Sequence, residues 1–110
     1  MAIPTEITFH NMERSEAVEI RAREKAKKLE RFAGQITSCR VTVNAPHQRH
    51  AQGNLFDVRI DIHVPGTEIV VNREGGTKDP AHHDVYVAMR DAFDAAVRQL
   101  DTHIARQTGR

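Results

Sequence analysis

Between residues 56 and 66 the chain alternates without a break. Phe56, Val58, Ile60, Ile62 and Val64 fall on one side of an extended backbone, Asp57, Arg59, Asp61 and His63 fall on the other, and Pro65-Gly66 follows. Side chains of a strand alternate between faces, so this run is a strand with one dry face and one wet face. Proline fixes φ at the first corner of a tight turn and glycine accepts a positive φ at the second. The next stretch, Glu68 to Asn72, is therefore expected to return as a hairpin partner. A hairpin with one apolar face is not stable alone, so the rest of the chain has to cover that face.

Two helical patterns supply the cover. The first spans about Glu16 to Phe32, with Val18, Ala22, Ala26, Leu29 and Ala33 at helical spacing and Phe32 beside them. Ser15 is placed to cap its start and Gly34 to end it. The second spans about His83 to Arg106, with Val85, Met89, Ala92, Phe93, Ala96, Val97, Leu100 and Ile104 forming a broad apolar face. A short strand, Glu6 to His10, precedes the first helix, and Asn11 to Arg14 turn the chain between them. After Ile36 the period becomes twofold, with Cys39, Val41, Val43 and Ala45 alternating against Arg40, Thr42 and Asn44. Pro46 to Asn54 and Arg73 to Ala81 read as loops. The predicted order is β-α-β-β-β-α: an α+β fold with a four-stranded, mainly antiparallel sheet and two helices packed on one face.

At 110 residues the chain is expected to be one domain, residues 1–110, with a core of about 5–106. A lone Cys39 allows no internal disulfide and no cysteine-based zinc site, and is read as a small apolar residue on a buried strand face. No basic segment followed by an apolar run opens the sequence, and no stretch approaches the roughly eighteen apolar residues of a membrane span. A soluble cytoplasmic protein without a membrane partner is expected.

The total charge of +1 says little, but its distribution says more. Arg21, Arg23, Lys25, Lys27, Lys28 and Arg31 fall within eleven residues that contain only Glu24 and Glu30 as acids, and Glu19 precedes them. One reading is a solvated helix face with spaced pairs, Glu19 with Arg23 and Glu24 with Lys28. The other is a phosphate-binding edge, with Lys25 burying its stem at the border of the apolar arc while its ammonium reaches water. Few aromatic residues are present, so folded or duplex RNA fits this edge better than stacked single-stranded bases. The histidines His47, His50, His63, His82 and His83 are scattered without metal-ligand spacing. No nucleophile has a convincing base and no glycine loop suits a nucleotide, so neither enzyme activity, a cofactor nor a small-molecule substrate is expected.

The helix SEAVEIRAREKAKKLERF (residues 15–32), the turn HVPG (63–66), the motif DVYVA (84–88) and the later RQL (98–100) lie in this order within the predicted topology. Together they resemble the ribosome hibernation-promoting factor family, which includes ribosome-associated inhibitor A, or protein Y. The resemblance covers about Ile7 to Arg106. It implies two parallel helices on a four-stranded sheet and a non-enzymatic translation inhibitor acting under stress. It further implies binding to the small ribosomal subunit and its 16S rRNA at the decoding region, occluding the mRNA and tRNA sites. The implied rRNA contacts are Arg21, Arg23, Lys25, Lys27, Lys28 and Arg31 on the first helix and Arg90 and Arg98 on the last. Asp84 and Tyr86 match the Asp-x-Tyr at the start of the last helix. That helix departs from the family pattern, carrying Ala95, Thr102 and Ile104 where lysines are usual. Long members continue into a dimerisation domain, for which this sequence has no room, so a short factor is expected.

Two other readings come from the residues. A general double-stranded-RNA-binding module shares a related layout but usually runs α-β-β-β-α with its lysine cluster at the start of the second helix, whereas Lys25 to Lys28 lie late in the first. A protein-interaction or metal-responsive domain would instead use the histidine-containing loops.

Overall fold

The computed structural model describes residues 3–44, 56–73 and 85–108. The expected loop of residues 46–54, most of the segment 73–81 and Asp84 lie outside them. Strand β1 (Thr5–His10) leads into helix α1 (Glu16–Ala26), which runs on as a 3-10 segment (Lys27–Gln35). Strands β2 (Ser38–Asn44), β3 (Asp57–Val64) and β4 (Thr67–Arg73) follow, and helix α2 (Val85–Thr108) comes last. This is the predicted element order. Arg73, read from sequence as the first loop residue, closes β4.

The sheet order is β1-β2-β3-β4. β1 pairs with β2 in parallel, from Thr5 opposite Cys39 to His10 opposite Asn44, because α1 carries the chain back across the sheet. The remaining pairings are antiparallel. Val64 opposes Thr67 across Pro65-Gly66, and Gly66 has φ +87°, the left-handed conformation expected at the second corner of this turn. Asn11 takes φ 59° at the end of β1, a conformation asparagine tolerates, and its Nδ2 donates to Asn44 Oδ1 at 2.9 Å.

The alternating patterns sort as their chemistry requires. Cys39, Val41, Val43, Val58, Ile60, Ile62, Val64, Ile69 and Val71 are buried on one face of the sheet. Val18, Ala22 and Ala26 of α1 and Ala88, Met89, Ala92, Phe93, Ala96 and Leu100 of α2 join the same core. The other sheet face is wet and crossed by ion pairs. Arg40 meets Glu6 at 2.7 Å, Arg59 meets Asp61 at 3.0 Å, and His63 meets Glu68 at 3.1 Å.

The first helix differs from expectation after Ala26. It was expected to remain α-helical to Phe32 and stop at Gly34, but residues 27–35 are 3-10, with Phe32 itself non-helical at φ −103°, ψ 15°. The buried side chains explain the change. Val18, Ala22 and Ala26 are four apart and suit an α-helix, whereas Ala26, Leu29 and Phe32 are three apart and line up on the tighter 3-10 turn. Gly34 lies inside this segment without a left-handed backbone, and extended Ile36 ends it. α2 reaches Thr108, two residues past its expected end. No described helix is long and apolar enough to cross a membrane.

Candidate nucleic-acid interface

Helix α1 is fixed at its start by Ser15, whose Oγ accepts from Val18 N at 3.3 Å as expected of an N-cap. Glu19 lies one turn later. Arg14 Nε donates to its Oε1 at 2.6 Å and Arg23 Nη2 meets its Oε2 at 3.3 Å. The hydrogen bond from Arg14, with Arg23 adding to it, holds the Glu19 carboxyl below the usual carboxylate range. The expected Glu19–Arg23 pair therefore forms. The expected Glu24–Lys28 pair does not: Glu24 meets Arg21 at 3.4 Å, one residue closer along the helix, while Lys28 turns to α2.

The cations of the first helical segment form two rows. One follows the seam with α2. Arg21 lies over the Tyr86 ring at 4.9 Å, Lys28 Nζ is 3.6 Å from Asp94 Oδ1, and Arg31 Nη2 reaches both Asp101 oxygens at 3.0 and 3.2 Å. The guanidinium of Arg31 also stacks over Phe32 at 4.6 Å. Partners on α2 advance in the same order as residues on α1, so the two helices run parallel. The other row faces β1: Arg23 donates to the Thr5 carbonyl at 3.4 Å, and Lys27 borders the same shallow hollow as Ile3 and Glu30. Lys25 is half-buried, as its place at the edge of the apolar arc predicts.

On α2 the site candidates separate. Arg90 is exposed and paired with its neighbour Asp91 at 3.2 Å. Arg98 stands away from the seam, toward β4, in a cleft with Arg73 and Arg106. Tyr86 is half-buried against the core, with Arg21 over its ring. Sequence reasoning missed Asp94 and Asp101, the counter-charges of the seam. Their seven-residue spacing places them on one stripe of α2, but only the packing of the helices shows that this stripe faces Lys28 and Arg31.

Among the described residues no three His, Cys, Asp or Glu side chains converge to hold a metal ion. Burial, with the Asp61 charge adding to it, pushes the Cys39 thiol up to about 12, so it is no nucleophile at neutral pH. What this surface offers chemically is a rigid row of guanidinium and ammonium groups in water, suited to phosphate oxygens.

The family described as Sigma 54 modulation protein / S30EA ribosomal protein matches residues 5–108. The chain belongs to this family. A ribosome hibernation promoting factor from Azotobacter vinelandii is 29% identical over 104 residues, spanning 94% of this chain and 85% of the relative. A ribosomal subunit interface protein from Coxiella burnetii superposes with a TM-score of 0.75 at 14% identity, over 94% of this chain and 99% of that one. The N-terminal domain of Protein Y from Thermus thermophilus gives a TM-score of 0.59 at 22% identity, over 96% and 98%. At such identities the two structures share the fold. The family match bears out the resemblance carried by the first helix, the HVPG turn and the RQL motif.

Proposed function

We propose that this domain silences translation by binding the small ribosomal subunit against 16S rRNA and filling the space of mRNA and tRNA. Family membership makes the chain a non-enzymatic, ribosome-associated factor of the hibernation type, and a cytoplasmic location is part of this proposal because ribosomes work there. The observation that carries the finer reading is the cation row at the seam of two parallel helices, with Arg21, Lys28 and Arg31 held on a rigid surface and Lys25 beside them. Phosphate contacts give affinity and orientation with little sequence readout, so selectivity comes from the shape of the channel that receives the domain. Arg23, Lys27 and Arg90 are further candidate contacts around this row, and Arg98 is a candidate contact away from it, toward β4. One domain suffices for such occlusion, since it acts by volume and charge.

Charge reversal tests the proposal. Arg21→Glu, Lys25→Glu and Lys28→Glu together are expected to abolish co-sedimentation with small subunits at moderate salt while the circular dichroism spectrum stays native. The wild type is expected to lose binding steeply with salt, by about 0.7 to 0.9 log units per log unit of salt for each phosphate engaged. Undiminished co-sedimentation of the folded triple variant overturns the reading.

A further inference from the structure

The two edges of the sheet are not alike. At β1, Pro4 precedes the strand and Arg23 of α1 donates to the Thr5 carbonyl at 3.4 Å, so part of that edge is closed. β4 has an unbroken register against β3, no proline and no lysine, and Val70 at its middle is 40% exposed. Edge strands normally carry such devices because their free backbone groups invite another strand.

The turn fixes which backbone groups are free. With two residues between them, Val64 and Thr67 close the hairpin as a hydrogen-bonded pair, and bonded and non-bonded pairs alternate from there. Thr67, Ile69 and Val71 therefore direct their N–H and C=O groups to β3, while Glu68, Val70 and Asn72 direct theirs away from the sheet. Arg73 Nη1 donates to the Asn72 carbonyl at 3.2 Å and closes that end. The backbone groups of Glu68 and Val70 are left without a partner among the described residues.

A cleft of about 460 Å³ lies beside this edge, between β4 and the C-terminal half of α2. Its α2 wall carries Arg98, Thr102 and Arg106, four residues apart on one stripe, and neither arginine meets a carboxylate among the described residues. Glu68, the acid at the rim, has its carboxylate 3.1 Å from His63 Nε2 on the opposite face of the sheet. A strand laid on β4 would alternate its side chains between the cationic cleft and the wet face at Val70.

We propose that this groove receives an acidic, extended segment of a protein partner as a fifth strand, antiparallel to β4. Its backbone pairs with Glu68 and Val70, its carboxylates point in toward Arg98 and Arg106, and its apolar side chains lie over Val70. A nucleic-acid backbone has no N–H and C=O groups at strand spacing. A second copy of β4 would present Thr67, Ile69, Val71 and Arg73 to the cleft, with no acid among them.

The test uses the full chain, isotope-labelled, and a capped synthetic peptide as long as β4 that alternates valine and glutamate. Only unbound molecules exchange the covered amides, so the Glu68 and Val70 N–H groups are expected to exchange about tenfold slower when peptide occupies about nine-tenths of the sites. Ile69 and Val71, bonded to β3 throughout, are expected to change little. In an antiparallel strand the valines turn their N–H groups to β4 and the glutamates turn theirs away. N-methylation of one interior valine is therefore expected to weaken binding at least about fivefold, and N-methylation of an interior glutamate to change it little. Arg98→Glu/Arg106→Glu, folded by its thermal melt, is expected to lose about tenfold in affinity for this peptide and to gain affinity for its lysine counterpart. Unchanged exchange at Glu68 and Val70 under saturating peptide overturns the proposal, as does equal binding of the glutamate and lysine peptides to wild type, or equal loss from the two methylations. Protection of the same amides by an RNA oligonucleotide in place of the peptide overturns it in favour of nucleic acid, and protection by raised protein concentration alone in favour of a second copy. No ribosome enters these measurements, so loss of subunit binding and loss of peptide binding are separate results.

Discussion

Cys39 shows how a residue with familiar chemistry can be silenced by its place. It lies on the inner face of β2 with 2% of its surface exposed, and burial pushes its thiol up to about 12 from an ordinary 9.0. The unfolded chain releases this proton above pH 9.0, whereas the folded chain keeps it until about 12. Between those values the unfolded state is favoured progressively more, so stability falls as pH rises. Three pK units correspond to about 4 kcal/mol at the upper end of that window. Denaturant melts of wild type and Cys39→Val from pH 8 to 12 are expected to diverge, wild type losing more stability, with the two flat relative to each other below pH 8. The same burial makes the native thiol unreactive toward alkylating reagents at neutral pH until the domain opens.

At the scale of elements, ends and periods carried the most information. Ser15 was readable as a cap because a hydroxyl before an amphipathic run has a local task, and the Val18 N–H bond performs it. Ser15→Ala is expected to destabilise the domain by about 1 kcal/mol, lowering the melting temperature by roughly 4 °C, with Ser15→Asp restoring most of the loss. Calorimetry on the three proteins checks the order. The strands were legible for the same reason: β3 alternates through Val64 and ends on a turn whose Gly66 has the conformation its sequence demands. What the first helix did after Ala26 was not legible. Leu29 and Phe32 fit either an α-helical or a 3-10 face over so short a run, and the choice follows from how Phe32 and Ile36 reach the core beneath.

Over the whole molecule, the near-balance of 16 basic and 15 acidic residues hides a basic row on the first helix that carboxylates of α2 meet across the seam. The basic row was visible along the first helix, but its partners lie 65 to 70 residues away in sequence, and periodicity within one helix does not say which stripe of another it meets. Lys28 and Arg31 are held by Asp94 and Asp101 in exposed pairs, which contribute only about 0–1 kcal/mol each to stability. Under the proposed function their larger effect falls on binding, because an RNA phosphate approaching the seam would have to displace these carboxylates or endure their repulsion. Asp94→Asn/Asp101→Asn is therefore expected to leave the melting curve nearly unchanged, tighten binding to RNA and to small subunits, and steepen the salt slope by about two. Net charge alone would also tighten binding, so Glu13→Gln/Glu16→Gln, two exposed acids outside the seam, serves as the matched control. Equal tightening by both pairs would leave the seam without a special role. A smaller gain in the control, together with loss of the Asp101→Asn effect in an Arg31→Ala background, would assign the restraint to these contacts.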